Sequence, residues 1–273
     1  TMLPNVKIDF ANGALGGFTP SADCVVGMIV TADGGNDRFS LNTPYVLYRY
    51  EGLADLGITE AGENKHICKA VREFYDNAGA GAELWIYGVR HPETPSALAE
   101  SGACRDFLKK ANGRIRCLAV SLCQELLVPD DDTTMDYEGT IPSDFFARDT
   151  VTSLGQWQSH AEWAAAELHA PVNVVIGLTN YDADILHTLP DLTEKGLNRV
   201  AVMVGDTERA EEAHRPGAAI GVLAGRIASC PVHRHIGRVR DGALKVTTAY
   251  IGDREATQDD AETLHALGYI TFR

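Results

Sequence analysis

Apolar positions along the chain fall into two alternating rhythms. Residues 24–31, Cys-Val-Val-Gly-Met-Ile-Val-Thr, form an almost unbroken apolar run, the pattern of a strand covered on both faces. Residues 64–78 repeat every three to four positions instead, with Ile67, Val71, Phe74 and Tyr75 on one face, which predicts an amphipathic helix. Gly79-Ala80-Gly81 stops that helix, and residues 83–89, Glu-Leu-Trp-Ile-Tyr-Gly-Val, read as the next buried strand. The same order then returns. A helix over 98–111, with Cys104, Phe107 and Leu108 inward, precedes a strand over 115–122. A helix over 157–168 precedes a strand over 171–178, and a short helix over 181–189 precedes a strand over 199–204. Helices feeding apolar strands predict an α/β fold, a sheet flanked by helices. Residues 32–36 read as a loop, 44–50 as a further strand, and 51–57 as a short helix stopped by glycine.

Both ends of the chain depart from this rhythm. Near the start, Val6-Lys7-Ile8-Asp9-Phe10 alternates with period two and then turns at Asn12-Gly13. It is either an ordinary edge strand or an arm whose Val6, Ile8 and Phe10 pair with another subunit's sheet, since an unpaired edge is a template for strand addition. The last quarter opens with a helix over 216–228 made largely of Ala, Gly and Ile. Short side chains let another backbone approach closely, so this helix is expected to pack tightly through Ala219, Ala224 and Ala228. A loop over 229–237, a strand-like run over 244–251, a polar helix over 257–267 and a final strand over 268–273 follow. In between, residues 128–153 carry no clear period, and 129–139 are acidic.

At 273 residues the chain can bury one large core or two smaller ones. Its formal charge of −14 argues against a nucleic-acid groove or an anionic membrane surface as main partner. No apolar run approaches the roughly 18 residues of a membrane span, and no basic start followed by an apolar core marks a signal peptide. The six cysteines are scattered, which fits reduced, buried thiols of a cytoplasmic protein better than a disulfide framework.

Candidate chemistry is sparse. Asp130, Asp131 and Asp132 are consecutive, so the alternating ligand offsets of a calcium loop are missing, and a solvated surface loop is expected. Cys230, His233 and His235 have zinc-ligand chemistry, but a fourth ligand has no second cluster to come from, so no metal is expected. His233, Arg234, His235, Arg238 and Arg240 place five cationic or titratable groups within eight residues of an acidic chain. This strip is either uninvolved surface or a contact for a neighbouring subunit's acidic face, with Arg234, Arg238 and Arg240 as its fixed charges. The stretch 217–225 lacks both the Gly-x-Gly-x-x-Gly fingerprint and a P-loop lysine, and neither a Gly-x-Ser-x-Gly elbow nor His-Glu-x-x-His occurs. No catalytic residue and no cofactor is therefore expected. The alternative is an α/β small-molecule enzyme of unknown reaction. A deep pocket with convergent titratable groups would favour it, and open strand edges would favour a self-assembling subunit.

The pattern over 217–237, followed by Tyr250-Ile251-Gly252-Asp253 and by Leu264-His265-Ala266-Leu267-Gly268-Tyr269-Ile270-Thr271, resembles contractile tail sheath proteins of the phage Mu-like kind. Toward the front, Asn12-Gly13-Ala14-Leu15-Gly16, the run over 23–30, and Phe74-Tyr75-Asp76-Asn77-Ala78-Gly79-Ala80-Gly81-Ala82-Glu83-Leu84-Trp85 resemble the same family. The resemblance implies a non-catalytic subunit that stacks in six-fold rings around a tail tube and contracts, in a phage tail or a related injection system. It implies as partners other copies of the chain, joined by strand exchange through the termini, and the tail tube protein. The location it implies is the virion tail, assembled in the host bacterial cytoplasm. The corresponding division is an N-terminal arm and first strand at 1–30, an α/β domain at 31–210, and the start of a C-terminal sheath-type α+β domain at 211–273. Sheath proteins normally continue beyond such a point, so the C-terminal domain is expected to be incomplete here.

Overall fold

The apolar run near the start of the α/β pattern becomes the strand β1, Val26–Ala32, with every residue buried. The structure, a computed structural model, describes residues 24–32, 34–62, 64–90, 94–122, 145–181, 183–210, 217–230, 236–237 and 243–272. After β1 come β2 (Pro44–Leu47), α1 (Gly52–Asp55), α2 (Lys65–Ala78), β3 (Leu84–Arg90), α3 (Pro95–Glu100), α4 (Ala103–Lys110) and β4 (Cys117–Ser121). Then follow α5 (Phe145–Glu167), β5 (Asn173–Gly177), a 3₁₀ helix at Ala183–Thr188, β6 (Val200–Met203), α6 (Ile220–Ser229), the hairpin β7 (Tyr250–Ile251) and β8 (Arg254–Glu255), and α7 (Gln258–Ala266).

The six-stranded sheet runs in the order β2-β3-β1-β4-β5-β6. Only β2 is antiparallel to its neighbour; the other pairings are parallel. Parallel strands need crossovers that lay helices on the faces, and both faces are covered. Side chains alternate across the sheet with period two. Val26, Met28, Val30, Leu84, Ile86 and Ala119 face α2 and α6. Ile29, Tyr87, Leu118, Val120, Val174 and Ile176 face α3, α4 and α5. The mixed α/β architecture predicted by the two rhythms is thus observed.

Several elements differ from the expected ones, each for a physical reason. The single helix expected over 98–111 is two, α3 and α4, because Gly102 between them sits at φ 76°, a conformation that ends right-handed helix. Thr94 starts α3 by accepting a hydrogen bond from Ala97 N at 3.2 Å, with Pro95 in the first turn where its missing N–H costs nothing. The helix expected over 157–168 begins twelve residues earlier, at Phe145. Its inward positions Thr150 and Ser153 are buried hydroxyls. Ser153 Oγ donates to Thr150 O at 2.8 Å, so they bury without apolar side chains and hide the period. The small-residue helix starts at Ile220 rather than 216.

The strand expected over 244–251 is reduced to Tyr250–Ile251, paired with Arg254–Glu255. The strand expected over 268–273 contributes a parallel bridge between Ile270 and Met203. That bridge covers the β6 edge: Val204 N donates to Ile270 O and Ile270 N to Val202 O, both at 2.9 Å. At the opposite edge β2 has β3 as its sheet neighbour. The polar helix stands as expected, fixed by a capping box in which Thr257 N donates to Asp260 Oδ2 at 2.8 Å and Asp260 N donates to Thr257 Oγ1 at 3.2 Å.

Candidate functional site

The helix made of small residues meets another helix of the same chain. On α6, Gly221 and Gly225 stand four positions apart and share a face. A methyl on Gly221 would overlap the Ala70 carbonyl oxygen and lie 2.8 Å from Glu73 Cβ; one on Gly225 would overlap the Phe74 carbonyl oxygen and lie 2.9 Å from Asn77 Cβ. The backbone of α6 therefore rests on the backbone of α2. Ala219, Ala224 and Ala228 are buried, as expected of a tight contact, but the closest approach belongs to the glycines.

This contact pins the stem of Glu73 beneath α6 and brings α2 against the turn that follows β6. Glu73 Oε1 accepts from Thr207 Oγ1 at 2.5 Å. One helical turn away, Lys69 Nζ donates to Asp206 Oδ1 at 2.6 Å and lies 3.4 Å from Glu208 Oε2. Asp206 is 6% exposed; its Oδ1 also accepts from Thr207 N at 2.7 Å. Burial raises the Glu73 carboxyl to about 7, against the opposing pull of Lys69 and the Thr207 hydrogen bond. Burial would lower the Lys69 ammonium, but the charges of Asp206, Glu73 and Glu208 outweigh it and hold it above the usual lysine value.

The same turn receives the C-terminal segment. Asp206 N donates to Tyr250 O at 2.9 Å, Tyr250 N to Asp206 O at 2.8 Å, and Ala210 N to Gly252 O at 2.8 Å. Ala219 N, just ahead of α6, donates to Gly205 O at 2.9 Å. An ionic cluster, buried at Asp206 and open to solvent at Glu208, thus sits where the sheet, α2, α6 and the C-terminal hairpin meet. By local pattern Gly205-Asp206-Thr207 is no more than a turn after a strand. The available signal was Lys69 and Glu73, two charges one turn apart on the flank of a helix whose other face is apolar.

A second buried polar cluster lies on the other face of the sheet. His160 on α5 is 2% exposed. Its Nδ1 accepts from Arg105 Nε at 3.0 Å, and its Nε2 lies 2.7 Å from Ala99 O. One ring nitrogen accepts and the other must donate, so the arrangement holds the neutral Nε2–H tautomer. Burial, with the nearby Arg105 charge, lowers its pKa below the usual histidine value. The Arg105 guanidinium and the Lys109 ammonium lie 5.2 and 5.5 Å from the Trp163 ring centre. The cluster ties α3, α4 and α5 together.

The residues singled out from the sequence as contacts, Val6, Ile8 and Phe10 in the arm and Arg234, Arg238 and Arg240 in the basic strip, lie outside the described residues, as do the acidic stretch and His233 and His235. Cys230 is buried, and its carbonyl accepts from Cys24 Sγ at 3.4 Å. Among the described residues, no group of three or more His, Cys, Asp or Glu is arranged to hold a metal ion, and no helix is long and apolar enough to cross a membrane.

The family described as DUF2586, N-terminal domain, matches residues 3–273. Among solved structures, the chain is similar to the helical sheath of the anti-feeding prophage in its contracted state, determined by cryo-electron microscopy. Identity is 14% and the TM-score 0.52, with 100% of this chain and 64% of that chain covered. The chain therefore spans somewhat under two thirds of that protein's length, and the likeness is one of fold. No curated protein matches.

Proposed function

The chain belongs to the DUF2586 family, N-terminal domain, and from that premise we propose that it is a structural, non-catalytic subunit of a contractile tail sheath, in a phage tail or a related injection system. The observation that carries this reading is the fold likeness to a helical sheath across the whole of the chain. The likeness between residues 217–237 and 264–271 and the Mu-like sheath family supports it from the sequence. In this reading copies of the chain stack in six-fold rings around a tail tube, assembled in the bacterial cytoplasm and carried in the virion tail. The division is 1–30 as arm and first strand, 31–210 as the α/β domain, and 211–273 as the beginning of a C-terminal sheath-type domain. The bridge between Ile270 and Met203 and the turn at 205–208 attach that last part to the sheet.

Subunit contacts are assigned to the arm, through Val6, Ile8 and Phe10, and to the basic strip at Arg234, Arg238 and Arg240. A charge strip that docks on a copy's acidic surface fixes register more than affinity. The test is electron microscopy of the chain, in its natural polypeptide, expressed together with the tube protein of the same particle. Helical, ring-stacked tubes are expected, and a dispersed monomer that leaves the tube bare would contradict the reading. Within the same experiment, Arg234→Glu combined with Arg238→Glu is expected to abolish the tubes while the melting temperature stays nearly constant, because exposed ion pairs contribute only about 0–1 kcal/mol each. Normal-length tubes from that double variant would remove the strip from the interface.

A further inference from the structure

On the face of the sheet covered by α3, α4 and α5, His160 is held at both ring nitrogens. Nδ1 accepts from Arg105 Nε on α4 at 3.0 Å, and Nε2 meets Ala99 O on α3 at 2.7 Å. The residue is 2% exposed, and its ring lies at 75° to that of Trp157 with centroids 5.9 Å apart. Turning the imidazole over about Cβ–Cγ would set carbon atoms against both partners, so one orientation satisfies them. That orientation suits only the neutral ring. A protonated imidazole donates from both nitrogens, and its new Nδ1–H would point at the Nε–H of a guanidinium.

The ring's two partners are a guanidinium and a carbonyl, and no carboxylate among the described residues is bonded to it. On α4, Arg105 and Lys109 both lie over Trp163, so an imidazolium would be a third cation beside two already in place. The α4 carboxylate, Asp106, accepts from Tyr87 Oη at 3.0 Å and pairs with Lys110 at 2.8 Å. Burial pushes the Cys104 thiol up to about 12, so it carries no charge. On α3, Glu100 is exposed. On α5, Asp149 accepts from Ser96 N at 2.9 Å, Glu162 accepts from Gln158 Nε2 at 2.8 Å, and Glu167 is exposed.

We propose that His160 is an acid-operated release between the α3–α4 pair and α5. The neutral ring ties α3 to α5 through Ala99 and α4 to α5 through Arg105. When it takes up a proton from solvent, Nδ1 stops accepting and the Arg105 hydrogen bond is lost. Imidazolium and guanidinium then face each other in a site closed to water, and the α3–α4 pair parts from α5 so that the ring reaches solvent. The direction follows from the donor that already occupies Nδ1, and burial acts in the same sense. Because the folded-state pKa is lowered, the tie is complete above the ordinary histidine value of about 6.5 and weakens as pH falls below it. The contact of α6 with α2, made through Gly221 and Gly225 on the other face, takes no part. The release stands whether or not the chain is a sheath subunit.

Amide hydrogen exchange of the purified chain tests it, corrected for the intrinsic pH dependence of exchange. It is read at Leu98, Ser101 and Ala111, whose amides close the turns of α3 and α4. Their protection in the unmodified protein is expected to fall about tenfold from about pH 7.5 to about pH 5, with little change at β1 and β4. In His160→Gln, which cannot titrate, protection is expected to be the same at both values. An equal fall in His160→Gln, or no fall in the unmodified protein, would overturn the proposal. NMR of the His160 ring separates the facing cation from burial alone. In Arg105→Gln, which removes the charge and keeps a donor, the His160 midpoint is expected to rise toward about 6.5, and an unmoved midpoint overturns the part given to Arg105. Should His160→Gln fail to fold, the ring in the unmodified protein decides. A proton on Nε2 with a midpoint below about 6.5 supports the release, and a proton on Nδ1 or a midpoint at or above that value overturns it.

Discussion

The two faces of the sheet are stabilised by opposite means. On one, α6 lies on α2 backbone against backbone, with Gly221 and Gly225 at the contact. On the other, α3, α4 and α5 fill the space with large rings. Trp157 and Phe107 are fully buried, and Tyr87 stacks on Phe107 with centroids 4.8 Å apart at 24°. The first face has no room for an added methyl, and the second depends on every atom it already holds. Both gain the same dispersion and desolvation terms, one by bringing backbones together and the other by filling the gap between them. The buried polar clusters differ in the same way. Glu73, raised by burial, favours the folded state at low pH, whereas His160, lowered by burial, favours it at high pH.

The largest expected effect is on the aromatic face. Trp157→Ala should cost about 3–5 kcal/mol, the range for emptying a large buried ring site, measured by urea unfolding. A cost under about 1 kcal/mol would mean that the face collapses around the loss. On the glycine face the sensitivity runs the other way. Ala224→Leu, at a fully buried position, should cost about 1–3 kcal/mol by overpacking. An unchanged melting temperature would place Ala224 outside the contact.

The pH dependence separates the faces by sign. The stability that neutral His160 contributes is fully present above the ordinary histidine value of about 6.5 and is lost as pH falls through its lowered folded-state value. His160→Gln should therefore weaken the fold at neutral pH yet shrink the further loss on acidification toward about pH 5. An acid limb as steep in the variant as in the parent would mean that His160 does not drive it.

How legible this was in the sequence follows the same division. The parallel sheet was legible because its strands are continuous apolar runs, and α2 because Ile67, Val71, Phe74 and Tyr75 keep helical spacing. The start of α5 was hidden because Thr150 and Ser153 occupy inward positions as hydroxyls. The small-residue character of α6 signalled a close backbone approach, but composition cannot say which backbone, and it is α2 of the same chain. The C-terminal strands were overread, since the β-propensity of 244–251 is satisfied by two residues and a hairpin partner. The Lys69–Glu73–Asp206 cluster joins residues more than a hundred positions apart, and no local period can reveal such a pairing. The arm and the basic strip fall outside the described residues, so their assignment to subunit contacts rests on the resemblance and on charge.

Glycine-to-alanine exchange at two helical positions puts the central contrast to its most direct test. A methyl at Gly155 of α5 meets nothing within 4 Å, whereas one at Gly225 of α6 overlaps the α2 backbone. Alanine is the better helix former by about 0.5–1 kcal/mol. Unfolding free energies should therefore rise by up to that amount for Gly155→Ala and fall by roughly 1–3 kcal/mol for Gly225→Ala. Two changes of the same sign, with Gly225→Ala as stabilising as Gly155→Ala, would contradict the account, because α6 would then not rest on α2 as described.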